Sequence, residues 1–113
     1  MKEVVFQGQA REEIRQFPVA VKRLVGEQIM RLQTGLEPID SKPMRTIGPG
    51  VREIRIREGN QYRVIYTAVF NEAIYILSGF QKKSQKRPKH EIEKAKLRMA
   101  TLREHRRNLW ANG

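Results

Sequence analysis

The chain has 113 residues, enough for one domain with a single core and too few for two. Hydrophobic residues make up 39% and charged residues 31%, a globular composition, and the lack of cysteine excludes disulfides and thiolate metal sites. Twenty-three Lys and Arg against twelve Asp and Glu give a net charge of +11. That makes nucleic acid the default partner, with an acidic protein or an anionic membrane surface as alternatives.

The N-terminal stretch MKEVVFQGQAREE turns polar after Val4, Val5 and Phe6, so no secretory signal is expected and those three residues read as a first strand. Ala10, Ile14 and Phe17 recur at helical spacing within residues 9–17, and Pro18 breaks that helix or opens the next. Val21, Leu24, Val25, Ile29 and Leu32 line one face of a second helix, with Gly35 placed to stop it. Residues 36–50 carry Pro38, Pro43, Gly48, Pro49 and Gly50 and read as a loop too short to link domains.

VREIRIR then alternates cleanly: Ile54 and Ile56 face one side, and Glu53, Arg55 and Arg57 the other. After a Gly59-Asn60 turn, residues 62–70 (YRVIYTAVF) form a strand, and Asn71-Glu72 turns again. Ala73 to Leu77 is continuously apolar, as in a strand covered on both faces, and far too short to cross a membrane. The chain leaves through Gly79-Phe80 into the basic loop QKKSQKR. Pro88 opens a last helix, with Ile92, Ala95, Met99, Leu102 and Leu109 as a narrow apolar stripe on a basic cylinder. Trp110 reads as a packing anchor or a partner contact.

The predicted order is β-α-α-β-β-β-α, a single α+β domain over residues 1–113. Three strands form an antiparallel meander, the first strand adds an edge, and the helix pair covers one face. The face carrying Arg55 and Arg57 is left open to solvent. Charge is polarised along the chain: net zero over residues 1–40, +3 over 41–80 and +8 over 81–113.

No phosphate-cradling glycine motif is present, and His90 and His105 lack metal-ligand spacing. Carboxylates are sparse in the basic half, which argues against a two-metal nuclease; no metal and no cofactor is expected. What remains is a cationic set: Arg52, Arg55, Arg57, Arg63, Lys82, Lys83, Lys86 and Arg87. RNA carries its own nucleophile, the ribose 2′-OH, so cations alone can cut it. Arginine matches the geometry of a pentavalent phosphorane. Lysine serves as base or acid when neighbouring positive charge lowers its pKa. DNA lacks the 2′-OH and is excluded as substrate. Blander readings stand beside these: Arg55 and Arg57 as a solvated strand face, Arg63 paired with Glu53 or Glu58, the basic loop as electrostatic footprint, and Tyr62, Tyr66 and Tyr75 as core or rim.

The ordered set VREIRIREGNQYRVIY and IYILSGFQKKSQKRPKHEIEKAKLR resembles the RelE/ParE toxin superfamily, in its phage-derived HigB-like branch. The branch pattern is an E-(L/I)-R strand, a Y-R-V strand, an apolar strand, then G-F-x-K-K-(S/T) and a helix opening P-x-x-E-I-E-x-A. The resemblance covers nearly the whole chain. It implies the RelE-like fold, a small twisted antiparallel sheet with an N-terminal helix hairpin and a C-terminal helix. It implies a cytoplasmic toxin of a type II toxin–antitoxin module, a metal-independent endoribonuclease (an mRNA interferase) that cuts messenger RNA at the 70S ribosome A site and so inhibits translation. The implied partner is a cognate antitoxin, an adjacently encoded helix-turn-helix protein. ParE relatives share the scaffold and inhibit DNA gyrase without catalysis, which is the alternative; a degenerate binding module is another.

Carried over residue by residue, Arg55 matches a basic strand position and Arg63 the arginine of the Y-R strand, giving both transition-state stabilisation. Lys82 and Lys83 follow the last strand, for positioning or proton transfer. Arg52, Arg57, Lys86, Arg87 and Lys89 are the expected RNA-backbone contacts. The chain departs from the pattern at Glu53, where some RelE enzymes have lysine, and in having no tyrosine after Tyr75; His90 is only a loose counterpart of the HigB-type histidines. Replacing Arg63 or the Lys82-Lys83 pair by alanine is expected to abolish cutting and leave stability nearly unchanged.

Overall fold

The computed structural model describes residues 1–112, and their side chains as far as Trp110. Its elements are β1 (Glu3–Phe6), α1 (Ala10–Arg15), α2 (Val19–Gln33), β2 (Ser41–Pro43), β3 (Val51–Glu58), β4 (Asn60–Thr67), β5 (Ala73–Lys82) and α3 (Lys89–Asn112). One five-stranded sheet has the order β1-β5-β4-β3-β2. The meander β3-β4-β5 is antiparallel, whereas β1 pairs parallel with β5, so the sheet is mixed. The α+β class and the expected element order stand, with one strand added.

That strand, β2, lies in the stretch read as loop. It pairs antiparallel with β3, Ser41 opposite Ile54 and Pro43 opposite Arg52. Its brevity and its proline hid it: at a sheet edge the proline's missing N–H costs no ladder bond. Gly35 ends α2 as expected, at φ +86°, with Leu36 N donating to Arg31 O (2.8 Å) and Gly35 N to Leu32 O (3.1 Å), closing the last turn.

β5 is longer than its apolar run. It continues through Gly79 to Lys82, so Lys82 stands on the sheet and not in the loop. Gly79 is a close-approach residue, not a strand breaker: a Cβ there would lie 2.6 Å from Ile14 Cγ1 of α1. Gly79→Ala should therefore lift α1 and cost about 1–3 kcal/mol, read as a lower urea midpoint. An unchanged midpoint would show that α1 is not seated on the strand.

Both faces of the sheet are covered at β4 and β5, so the expected open face is reduced to its β3 side, where Arg55 is half-buried and Arg57 exposed. α1 and α2 bury Ile54, Ile56, Tyr62, Val64, Tyr66, Ile74 and Ile76, with the Phe17 and Tyr62 rings 5.0 Å apart. On the other face Ile92, Ala95, Met99 and Leu102 of α3 pack on Ile65, Tyr75, Leu77 and Phe80. A strand apolar at every position needs both covers. Leu109 leaves the stripe: it is 58% exposed, beside Trp110 at 71%, so Trp110 does not anchor the core.

β1 stops at Phe6, and side chains take over the outer edge of β5 beyond Ile76. Arg98 Nη1 donates to Leu77 O (2.9 Å), and Gly79 N donates to Glu13 Oε1 (3.2 Å). Arg98 and Glu13 meet in two bonds of 2.9 and 2.8 Å, and Lys94 Nζ lies 3.3 Å from Glu13 Oε2. This cluster ties α1 to α3 around the sheet edge. It holds α3 along β5, which fixes the helix start where the candidate site lies.

Candidate nucleic-acid interface

Strand alternation puts Glu53, Arg55 and Arg57 of β3, Gln61 and Arg63 of β4, and Lys82 of β5 on the α3 face. α3 covers the β5 side of that face and leaves a corner uncovered. There an open cleft of about 490 Å³ has Glu53, Arg63 and Lys82 in its floor. The segment Lys42–Thr46 forms one wall, and Gln85, Arg87, Pro88 and Ile92 the other. Arg87 Nη2 donates to Thr46 Oγ1 at 2.7 Å and links the two walls. Five cations line the cleft, Lys42, Arg45, Arg63, Lys82 and Arg87, against a single carboxylate, Glu53.

Arg63 is the fixed point. It is 5% exposed, and Glu53 beside it 4%. Its Nε lies 3.3 Å from Glu53 Oε1, Nη1 donates to Tyr62 O (3.2 Å) and Nη2 to Gln61 Oε1 (2.9 Å). A guanidinium has five N–H donors, so one on each terminal nitrogen is left for a ligand, the pair that matches two phosphate oxygens. Burial pulls the Arg63 pKa below its ordinary value; the Glu53 charge opposes this, and Arg55 and Arg57 reinforce it. Arginine stays charged at neutral pH regardless, so Arg63 offers an incompletely compensated positive charge. Lys42 Nζ stands 4.0 Å from the same Glu53 oxygen.

The structure gathers only some of the expected residues. Arg63, Lys82 and Arg87 share the cleft. Arg55 is directly across from Arg63 in the ladder, but its Nε and Nη2 donate to Asp40 Oδ1 at 3.0 and 2.8 Å. With Arg57 it lines a separate depression between α2, the Ile39-Asp40 segment and β3. Lys83 lines a third depression, between the β3–β4 turn and the end of β5. Lys86 and Lys89 are exposed and line none of the three. Arg52 does not join the cleft. Its parity with Ile54 and Ile56 turns it to the helix-hairpin face, where Nη2 donates to Ser41 Oγ at 3.1 Å and Nε is buried without a partner, like the Tyr66 hydroxyl.

Sequence reading did not single out Lys42 or Arg45, because both lie in the segment read as plain loop. Glu53 was legible by its parity with Arg55 and Arg57, but nothing in the sequence showed it buried against Arg63. His90 is exposed at the start of α3. Among the described residues no three His, Cys, Asp or Glu side chains converge. Also among them, no helix is long and apolar enough to cross a membrane.

The chain matches the family described as phage derived protein Gp49-like (DUF891) over residues 12–100. Among solved structures it is similar to the isolated E. coli RelE toxin, with a TM-score of 0.62, 14% identity, and 82% of this chain and 97% of that one covered. It is also similar to a chain of the intact E. coli RelBE toxin-antitoxin complex, with a TM-score of 0.58, 19% identity, and 74% and 100% covered. No curated protein is matched by the sequence.

Proposed function

The chain belongs to the phage-derived Gp49-like family (DUF891), a family of RelE-like proteins, and from that premise we propose that it is the toxin of a type II toxin–antitoxin module, an endoribonuclease that inhibits translation by cutting messenger RNA in the ribosomal A site. The observation that carries this reading is Arg63: a buried, triply tethered guanidinium in the floor of a cationic cleft, with two N–H donors to spare. Likeness to the isolated RelE toxin supports it.

In this reading Arg63 binds the scissile phosphate and stabilises the phosphorane as charge builds on its oxygens. Glu53 is the one carboxyl side chain in the lining, and it takes the 2′-OH proton. Lys82 can donate one, and it protonates the leaving 5′-oxygen. The 2′-oxygen–phosphorus bond forms as the phosphorus–5′-oxygen bond breaks, leaving a 2′,3′-cyclic phosphate and a free 5′-hydroxyl. Arg55, partly held by Asp40, flanks the site. Lys83, Arg57, Lys86, Arg87 and Lys89 contact backbone of messenger or ribosomal RNA. No metal or cofactor takes part. The toxin acts in the cytoplasm, and its partner is an adjacently encoded helix-turn-helix antitoxin, as the RelE toxin has an antitoxin in the RelBE complex.

The purified protein added to a translation extract should leave transcripts cut within coding frames. Intact transcripts together with failing DNA supercoiling would instead support a gyrase inhibitor. Binding of a 2′-O-methyl RNA, which cannot be cut, should weaken with salt. With about three or four phosphates neutralised, log K should fall with log salt at a slope of about −2 to −3. A flat salt response in fluorescence anisotropy would contradict an electrostatic interface.

A further inference from the structure

Strand register sets three charges in one row across β2, β3 and β4. With Ser41 opposite Ile54, Asp40 comes beside Arg55, and Arg55 N donates to Asp40 O at 2.9 Å. On its other side Arg55 is directly opposite Arg63. Arg55 thus stands between an anion and a cation, about 5 Å from each at the backbone.

Like charges directly opposite each other are destabilising, and the guanidinium has turned to the anion. Arg55 Nε and Nη2 both donate to Asp40 Oδ1, at 3.0 and 2.8 Å. After burial and Glu53, the charges that act on the Arg63 pKa are those of Arg55 and Arg57, which lower it, and of Asp40, which raises it. Asp40, Arg55 and Arg63 are therefore electrically coupled.

A phosphate seated on Arg63 reverses the balance, because it puts negative charge on the side of Arg55 that was positive. An arginine side chain is longer than the spacing between strands, so rotation about its own bonds brings Arg55 to that phosphate or the next. The bond it leaves is weak. The Arg55 side chain is 32% exposed and that of Asp40 41%, and a pair so open to water contributes little net stability. Resting on the ribonuclease reading above, we propose that Asp40 is a latch on Arg55. In the free protein it holds the arginine off Arg63; in the RNA complex Arg55 leaves it for a phosphate and becomes a second clamp. Asp40 touches no substrate and is a positioning residue: it sets how much affinity the second clamp adds.

The test is fluorescence anisotropy with a 2′-O-methyl RNA, which binds without being cut, over a range of salt. Arg55→Ala should weaken binding and make the salt slope shallower by about 0.7, the share of one phosphate contact on a single strand. Asp40→Asn removes the competing charge but keeps the backbone oxygen that pairs with Arg55 N. It should tighten binding about two- to fivefold, the strength of an exposed ion pair, with the slope unchanged. In the Arg55→Ala background the same substitution should change little. A tightening of equal size there would show that Asp40 acts only through overall charge, and would overturn the latch. So would a salt slope that Arg55→Ala leaves unaltered, or no tightening in Asp40→Asn. In each of those cases RNA still binds and the ribonuclease reading stands. No RNA binding at low salt would overturn the latch too, and messengers left whole in a translation extract would overturn the ribonuclease reading with it.

Discussion

Arg63→Ala is expected to lose about 10²–10³-fold in cleavage and also to cost about 3 kcal/mol of stability. The second effect departs from the sequence expectation of nearly unchanged stability. Arg63 and Glu53 are both almost fully buried, so removing the guanidinium leaves a carboxylate with only the more exposed Lys42, 4.0 Å away. Loss of activity in the single variant therefore mixes chemistry with folding. Glu53→Gln on the Arg63→Ala background removes the orphaned charge and should recover most of the stability without any cutting. Arg63→Lys keeps a cation but not the two-pronged donor geometry, and should stay well below wild type in rate. Urea unfolding of the single and double variants, beside cut-end counts, separates the two effects. A double variant as unstable as Arg63→Ala would show that the ion pair is not what holds this corner.

Glu13→Ala is expected to cost about 3 kcal/mol, or roughly 10–15 °C in Tm. It leaves Arg98 and Lys94 facing each other and the Gly79 N–H without its acceptor. Burial alone would raise the Glu13 pKa. Hydrogen bonds from Arg98 and from the Gly79 amide, and the charges of Arg98 and Lys94, outweigh it and hold the carboxyl below its ordinary 4.5. A depressed carboxyl stabilises fully above its unfolded value and loses that contribution as pH falls through the folded one. The stability gap between wild type and Glu13→Ala should thus be widest at neutral pH and narrow only on acidification below about 4.5. A gap independent of pH across that range would assign the loss to packing. Because α3 carries the cleft wall at Ile92, the variant should also weaken RNA binding once the helix start loosens.

Much of the fold was legible because periodicity is local. The α2 face, the alternation of β3 and the unbroken apolar run of β5 each follow from side-chain spacing over a few residues. What the spacing hid depends on contacts distant in sequence. Gly79-Phe80 reads as the strand's exit until Ile14 is seen lying on Gly79. β2 is three residues long with a proline, and only pairing with β3 makes it a strand. The face opposite the helix hairpin looked free because the α3 stripe is narrow, yet four of its residues suffice to cover β5.

The candidate site divides in the same way. Parity placed Arg55 and Arg57 on one face, and the ladder adds Arg63 opposite Arg55; the same parity sets Arg52 on the other face, which a list of basic residues conceals. Asp40, fifteen positions before Arg55, draws that arginine toward the sheet edge. Lys42 and Arg45 reach the cleft only because β2 returns the chain along β3. The burial of Glu53 against Arg63 is a property of the folded corner, not of either strand alone.

The most direct measurement concerns the nucleophile. A messenger is prepared with a single 2′-deoxyribose at the mapped cut position and supplied to the wild-type protein in a translation extract, beside the all-ribose messenger. If Arg63 and its cleft turn the substrate's own hydroxyl on its phosphate, the all-ribose messenger is cut there, leaving a 2′,3′-cyclic phosphate, and the deoxy one stays whole at that position. Equal cutting of both messengers would contradict the account.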